Sequence, residues 1–450
     1  MPEFDGTDNI FDVIKKGDVL MHHPYQSFVP VVDFIRQASK DPDVLAIKQT
    51  LYRVSGNSPI IAALAQAAEN GKQVSVLVEL KARFDEENNI VWARKLEKAG
   101  CHVIYGLVGL KTHSKITLVV RKEEDGIRRY VHLGTGNYND ATAKLYTDIG
   151  MMTASEAIGE DATAVFNMLS GYSEPRSWNR LSLAPLWLKD RFLYLIEREK
   201  KNAEAGREGH IIAKMNSLCD RDIIVALYEA SRAGVRIELI VRGICCVRAE
   251  VPGKTENLHI RSLVGRYLEH GRIYSFYDGV TTRIYIASGD FLTRNTECRV
   301  EVGVRVEDPV LIQKLSDILQ LQLRDNVNAR EMRADGSYQK VKAALGEPLV
   351  NGQMDMYDLL RDDWLARDTA SAAEPEQPEP KAPERPSEPE TRPELVQVAE
   401  QPAEPAKQPA TVKAAPAPAV QSAPAPHAVD RAERHGPPSL FQRLHDWLRR

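Results

Sequence analysis

The chain repeats itself, and that constrains its fold more than any other feature. The stretch SPIIAALAQAAENGKQVSVLVELKARFDE, from Ser58, is matched by DIIVALYEASRAGVRIELIVRGICCVR, from Asp222, with Gly71 falling on Gly234 at an offset of 163 residues. Ile60 then meets Ile223, Leu64 meets Leu227, Val76 meets Leu239 and Val78 meets Val241. Each copy reads as an amphipathic helix, a glycine stop, and a β-branched strand without polar alternation. Apolar stretches, VLAIKQTLY and HIIAKMNSL, precede the two helices. Strand–helix–strand units of this kind predict a parallel sheet buried on both faces. The repeat resumes downstream. YVHLGTGNYND, from Tyr130, resembles RIYIASGDFLT, from Arg283, with Gly136 on Gly289 at an offset of 153 residues, and the same offset sets Asp148 on Glu301. APLWLKDRFLYLIEREKKNAEAG, from Ala184, reads as a long helix between the copies, and PVLIQKLSDILQLQLRDN, from Pro309, as a helical close. The expected fold class is therefore α/β, with two homologous domains over residues 1–180 and 181–345, the close carrying the second to 367.

Composition changes sharply near Asp368. Of 26 prolines, 16 lie between Pro375 and Pro438, in a segment also rich in Ala, Glu and Gln. Such a segment cannot bury enough apolar surface to offset its chain entropy, so residues 368–438 are expected to be a disordered tail. The last residues, 439–450 (SLFQRLHDWLRR), read as a short amphipathic helix capped by Ser439. It suits docking to a partner or an anionic membrane surface, or it is a fraying end, since so short a helix does not persist alone.

Net charge is −4, which excludes a global basic coat for nucleic acid. No run of about 18 apolar residues marks a transmembrane helix, and MPEFDGTDNIFDVIKKGD lacks the apolar core of a secretory signal. Cys101, Cys219, Cys245, Cys246 and Cys298 form no CxxC pair and read as reduced thiols of a cytoplasmic protein, not a zinc or disulfide scaffold. The adjacent Cys245 and Cys246 read as small core residues in preference to a redox pair. His22 and His23 read as structural or channel-lining residues in preference to metal ligands.

Each copy carries one H-x-basic triplet ahead of an apolar strand: His113-Ser114-Lys115 before ITLVV, and His270-Gly271-Arg272 before IYSFY. Residues i and i+2 of a strand share a face, so each histidine and its cation are expected to address one site. A small-residue turn follows each, GTGN at Gly134–Asn137 and ASGD at Ala287–Asp290. The set suits phosphoryl chemistry. Neutral imidazole is a nucleophile near pH 7, Lys or Arg neutralises phosphoryl oxygens, and glycine lets backbone approach phosphate. Asn137 is a neutral donor for a phosphoryl oxygen where Asp290 would repel one, so the first repeat is the better phosphoryl acceptor. Arg242 ends an apolar strand, where an unpaired charge is costly, so an anionic partner is expected for it.

The paired triplets resemble the phospholipase D superfamily, whose two repeats each lend a histidine to one site. Within it, LMHHPYQSF, KQTLYRVSGNSPII, VLVELKARFDEENNI, KTHSK, HLGTGNYNDATAKLYTD, LIVRGIC, RYLEHGRIY and FLTRNTECRVEV resemble the long-chain bacterial polyphosphate kinases over nearly all of residues 10–330. The resemblance implies two phospholipase D-like α/β domains about a central cleft. It implies reversible transfer of the terminal phosphate of ATP to inorganic polyphosphate through a phosphohistidine, with Mg²⁺ accompanying ATP. By motif, His113 matches the phosphorylated histidine and His270 the second-repeat histidine that contacts ATP. Tyr146 and Arg242 match residues touching nucleotide phosphates. Arg53 and Arg83 match positions tied to the magnesium–phosphate site. Arginine has no acceptor, so these two are expected to clamp phosphate oxygens that Mg²⁺ bridges, or else to pair with acids such as Asp85, Glu86 and Glu87. Lys115, Arg272 and Asn137 are expected to support them.

The family carries further domains ahead of the HHPY segment, here only about twenty residues from Met1. The sequence therefore reads as the C-terminal catalytic half, a homo-oligomer or a partner of a complementary N-terminal half. Two other readings stand beside the kinase. One is a phospholipase D-type phosphodiesterase, which would keep HxK and a downstream Asp in both repeats; Arg272 replaces the second lysine, and neither strand after the histidine offers the Asp. The other is a non-catalytic, polyphosphate-binding half.

Overall fold

The structure is a computed structural model and describes residues 2–4, 9–80, 82, 86–107, 109–171, 175 and 177–361. Arg83, the segment 368–438 and the terminal 439–450 lie outside the described residues.

The first repeat runs α1 (Ile10–Lys16), β1 (Val19–His23), α2 (Val29–Lys40), β2 (Val44–Leu51), α3 (Pro59–Glu69), β3 (Gln73–Val78), α4 (Glu86–Lys98), β4 (His102–Ile104), β5 (Lys111–Thr112), β6 (Ile116–Glu123), β7 (Gly126–Gly134), β8 (Tyr146–Thr153) and α5 (Glu156–Leu169). The second runs β9 (Leu181–Leu183), α6 (Leu188–Glu204), β10 (His210–Met215), α7 (Arg221–Arg232), β11 (Arg236–Val241), β12 (Leu258–Leu263), β13 (Leu268–Glu269), β14 (Ile273–Tyr277), β15 (Thr282–Ala287), α8 (Thr293–Glu297), β16 (Arg299–Val300), β17 (Val302–Val306) and α9 (Pro309–Leu323). A hairpin, β18 (Ala329–Met332) and β19 (Tyr338–Lys340), follows.

The two sheets have the same order. One reads β1-β8-β7-β6-β2-β3-β4; the other reads β9-β17-β15-β14-β10-β11-β12 and is extended by β18 and β19. The α/β class and the internal repeat stand, but the sheets are mixed, not wholly parallel. Only β2, β3 and β4, and their equivalents β10, β11 and β12, run parallel to their neighbours within each set. Hairpins supply the antiparallel part. Tight turns at Asp125-Gly126 and Asp278-Gly279 reverse the chain between β6 and β7 and between β14 and β15, so no crossover helix is needed there.

The repeated helices form for the same local reasons. Ser58 caps α3 through Ile61 N and Pro59 opens it; Asp220 caps α7 through Asp222 N and Ile223 N. Gly71 and Gly234 follow the helix ends at φ 80° and 98°, which only glycine adopts without strain. Leu64 and Leu227, matched by the repeat, are both fully buried, each in its own sheet's core. Truncating either to Ala would cost about 2–5 kcal/mol. Among the described residues no helix is long and apolar enough to cross a membrane.

Two short strands break this separation. β5, just ahead of His113, pairs in parallel with β16 of the second repeat. β13, just ahead of His270, pairs in parallel with β8 of the first. Each repeat thus hands its histidine segment to the other's backbone.

Candidate functional site

The handover continues through the histidines. His113 N and Ser114 N both donate to Val300 O at 2.9 Å; His270 N and Gly271 N both donate to Thr147 O. The H-x-basic triplets are therefore not strand residues with i and i+2 on one face. They form the link between a two-residue strand held by the opposite repeat and a long strand held by its own sheet, and a chain changing sheets cannot keep one pleat. The cations reach the site by another route. Lys115 Nζ folds back onto the His113 carbonyl, and Arg272 Nη1 donates to the His270 carbonyl at 2.7 Å.

Each histidine meets a carboxylate of the other repeat. His113 Nδ1 lies 2.9 Å from the Glu301 carboxylate, and His270 Nδ1 lies 2.8 Å from Asp148 Oδ1. Asp148 also accepts from Thr135 Oγ1 at 2.7 Å; Glu301 accepts from Ser288 Oγ and, at 3.0 Å, from Asn295 Nδ2. Asp148 and Glu301 are the pair that the repeat offset aligned. The sequence reading gave them no role, because it sought an acid on the strand following each histidine in the same repeat. They lie farther along the chain and act across the repeat boundary.

The glycines take a different role from the one expected of them. A Cβ on Gly136 would overlap the Asp148 carboxylate, and one on Gly289 would sit 3.0 Å from Glu301 Cγ. At these two positions glycine makes room for a carboxylate.

Burial sets the charges. His113 is lowered to about 3 because desolvation outweighs the pull of Glu301, so its ring is neutral near pH 7. Burial also lowers His270, against the pull of Asp148. Asp148 and Glu301 are buried too, which pushes them up, yet their partners hold each at about 2. For Asp148 these are His270, Thr135 and Arg272; for Glu301 they are His113, Lys115 and Ser288. Lys115 falls to about 7, chiefly by desolvation, with Glu301 and Asp148 raising it and Arg272 and Arg299 lowering it. That field places Lys115 among both histidine–carboxylate pairs.

The other expected residues gather unevenly. The Tyr146 ring is 5.4 Å from His270, centroid to centroid. Arg242 is half-buried and donates through Nε to Asn216 Oδ1 at 2.6 Å; Asn216 N in turn donates to Asp290 Oδ1 at 2.8 Å. Burial lowers its pKa and so does Arg272, while Asp290, Tyr146 and Asp148 raise it. Asp290 is no free repelling charge, since it also accepts Arg272 Nε at 3.1 Å. Asn137 ends the GTGN turn, with its Oδ1 buried and unpartnered. Arg53 stacks on Tyr52 at 5.5 Å, and Tyr52 meets the His113 ring edge-on at 4.9 Å. Two further acids went unnoticed in the sequence. Glu79 accepts Thr112 N at 2.8 Å, bracing the residue before His113. Glu269, before His270, is fully buried against Lys214 at 2.8 Å and also accepts from Thr147, Gln322 and Gln353.

His22 and His23 are buried, and His23 Nδ1 lies 2.9 Å from Gln26 O, which fits the structural reading. Among the described residues no group of three or more His, Cys, Asp or Glu side chains could hold a metal ion. Asp148 and Glu301 are already engaged by histidines, so these residues build no protein cage for Mg²⁺.

Two equivalent α/β halves, each lending a histidine to one buried network, define a class of two-domain α/β protein with a shared histidine site. Within that class the chain belongs to the polyphosphate kinase family. Residues 9–175 match polyphosphate kinase C-terminal domain 1 and residues 181–353 match C-terminal domain 2. The polyphosphate kinase of Halalkalibacterium halodurans is 58% identical over 354 residues, 79% of this chain and 50% of that protein. That of Synechocystis is 56% identical over 350 residues, 78% of this chain and 48% of that one. The crystal structure of polyphosphate kinase from Porphyromonas gingivalis superposes with a TM-score of 0.76 at 37% identity, covering 81% of this chain and 56% of its own. The chain spans about half the length of the curated relatives it matches.

Proposed function

We propose that this chain carries the phosphoryl-transfer centre of a polyphosphate kinase, moving the terminal phosphate of ATP to inorganic polyphosphate, reversibly, through phospho-His113. The crossed pairs His113–Glu301 and His270–Asp148 support this reading most directly. With Nδ1 engaged by Glu301, His113 offers Nε2 to the γ-phosphorus. The N–P bond forms as the P–O bond breaks, and ADP leaves with the electron pair. Glu301 offsets the charge that the ring gains. A terminal oxygen of polyphosphate then takes the phosphoryl group and restores the neutral ring. Lys115 and Arg272 neutralise the phosphoryl oxygens in passage, with Asn137 beside them. His270, oriented by Asp148, assists at the oxygen that leaves or attacks.

Tyr146 and Arg242 are assigned to the nucleotide phosphates, and Arg53 and Arg83 to the phosphates that carry Mg²⁺. Arg53 and Arg83 would hold the phosphates with which Mg²⁺ would associate, and the ion would supply neutralisation of their charge. A cytoplasmic location, assembly as a homo-oligomer or with a complementary N-terminal half, and a membrane or partner contact by residues 439–450 complete the proposal. The experiment is purified chain with γ-labelled ATP, Mg²⁺ and polyphosphate, with and without the N-terminal half of a close relative. Label entering polyphosphate supports the kinase. Release of free phosphate alone favours a phosphodiesterase-like hydrolase, and binding of polyphosphate without turnover favours a non-catalytic half.

A further inference from the structure

Cys245 and Cys246 do not both belong to the core. Cys245 is half-buried, whereas Cys246 is exposed, and so is Cys219, on the loop after β10. The backbone brings these loops together. Leu218 N donates to Ile244 O and Cys246 N donates to Leu218 O, both at 2.8 Å, forming a parallel bridge between Leu218 and Cys245. Carrying that register one residue forward sets Cys219 beside Cys246. Lateral neighbours on parallel strands lie about 4.8 Å apart, inside the roughly 4.4–6.8 Å that a disulfide spans between Cα atoms. Lateral neighbours on paired strands project to the same side, so the two exposed thiols face one another.

From this juxtaposition we propose that Cys219 and Cys246 form a reversible disulfide, a modification site for peroxide oxidants.

Cys219 and Cys246 are both exposed to oxidant, and in the proposed order Cys219 reacts first. Cys219, as thiolate, attacks one oxygen of hydrogen peroxide. The O–O bond breaks, hydroxide leaves and takes up a proton as water, and Cys219 becomes a sulfenic acid. Cys246 then attacks that sulfur, loses its proton, and expels the oxygen as a second water. Two thiols are oxidised by two electrons and one peroxide is reduced; a dithiol reductant reverses the change. The bond would join the strand ends that carry Asn216 and Arg242. Any effect on nucleotide use rests on the function proposed above, but the chemistry of the bond does not.

The test uses the full chain, reduced, desalted and treated with hydrogen peroxide. Free thiols should fall from five to three per chain, given five cysteines in all. A tryptic species should link the peptide MNSLCDR to GICCVR. The link should persist in Cys245→Ser, vanish in Cys219→Ser and in Cys246→Ser, and disappear from the wild type on dithiol treatment. A link that survives Cys246→Ser, joins Cys245 to Cys246, or forms only between two chains would overturn the proposal. So would five thiols retained after peroxide. Since neither readout needs phosphotransfer, this result stands or falls apart from the kinase reading.

Discussion

His113 and Glu301 stand 188 residues apart in the chain and 2.9 Å apart in space. His270 and Asp148 repeat the contact in reverse, each histidine taking its carboxylate from the other half. Neither half supplies both members of either crossed pair. This crossing, with the β5–β16 and β13–β8 pairings beneath it, makes the two repeats one chemical unit.

On the proposed mechanism the carboxylate fixes the tautomer of the ring and offsets its charge when Nε2 bonds phosphorus. Glu301→Gln keeps the shape and loses the charge, and it is expected to cut turnover roughly 10²–10⁴-fold with little change in substrate KM. Steady-state kinetics with polyphosphate as the phosphoryl donor would check it. Turnover within threefold of wild type would mean that Glu301 only packs.

Glu269 and Lys214 form a nearly solvent-free ion pair directly before His270. Glu269→Gln leaves the Lys214 charge buried without its counter-ion, and a loss of about 3–5 kcal/mol of stability is expected. The urea midpoint reads this. An unchanged midpoint would mean that the Gly271 carbonyl, 3.3 Å from Lys214 Nζ, satisfies the ammonium without the carboxylate.

Lys115 gives the site a pH dependence. Its pKa is lowered by burial to about 7, so above that pH the free chain loses the cation proposed to meet the phosphoryl group. For the phosphoryl donor, kcat/KM should fall about tenfold per pH unit above the Lys115 pKa. A bound phosphoryl anion favours the charged form, so the same limb in kcat should lie at higher pH. In Lys115→Arg the guanidinium stays charged and the limb should disappear, whatever the absolute rate. An identical limb in Lys115→Arg would assign the titration to another group.

The repeat, the α/β class, the glycine stops of the repeated helices and the two histidine triplets were legible in the sequence because each is written locally. A glycine after a helix, a β-branched run and an H-x-basic triplet all fall within a dozen residues. The antiparallel half of each sheet was written too, in the Asp125-Gly126 and Asp278-Gly279 turns, but the strand–helix–strand pattern drew the reading toward a parallel sheet. The roles of Glu301, Asp148, Glu79 and Glu269 were not legible. Their partners lie far along the chain, and contact depends on which edge each short strand joins. The alignment of Asp148 with Glu301 at the same offset as Gly136 with Gly289 was the one available sign, because each glycine leaves space for the matching acid. Cys246 was misplaced for a related reason: its exposure depends on the loops beyond β10 and β11, not on its neighbours in sequence.

The central claim is that His113 is the phosphoryl acceptor and His270 its assistant. The direct measurement is the phosphoenzyme formed with labelled polyphosphate, or with γ-labelled ATP and Mg²⁺ when the N-terminal half is supplied. The expected bond is stable to alkali and labile to acid, as a phosphohistidine is and a serine ester is not. His113→Ala should abolish label and turnover, while His270→Ala should keep some label and lose about 10²–10⁴-fold in turnover. Label that persists in His113→Ala and vanishes in His270→Ala would reverse the assignment, and label on neither would contradict the mechanism.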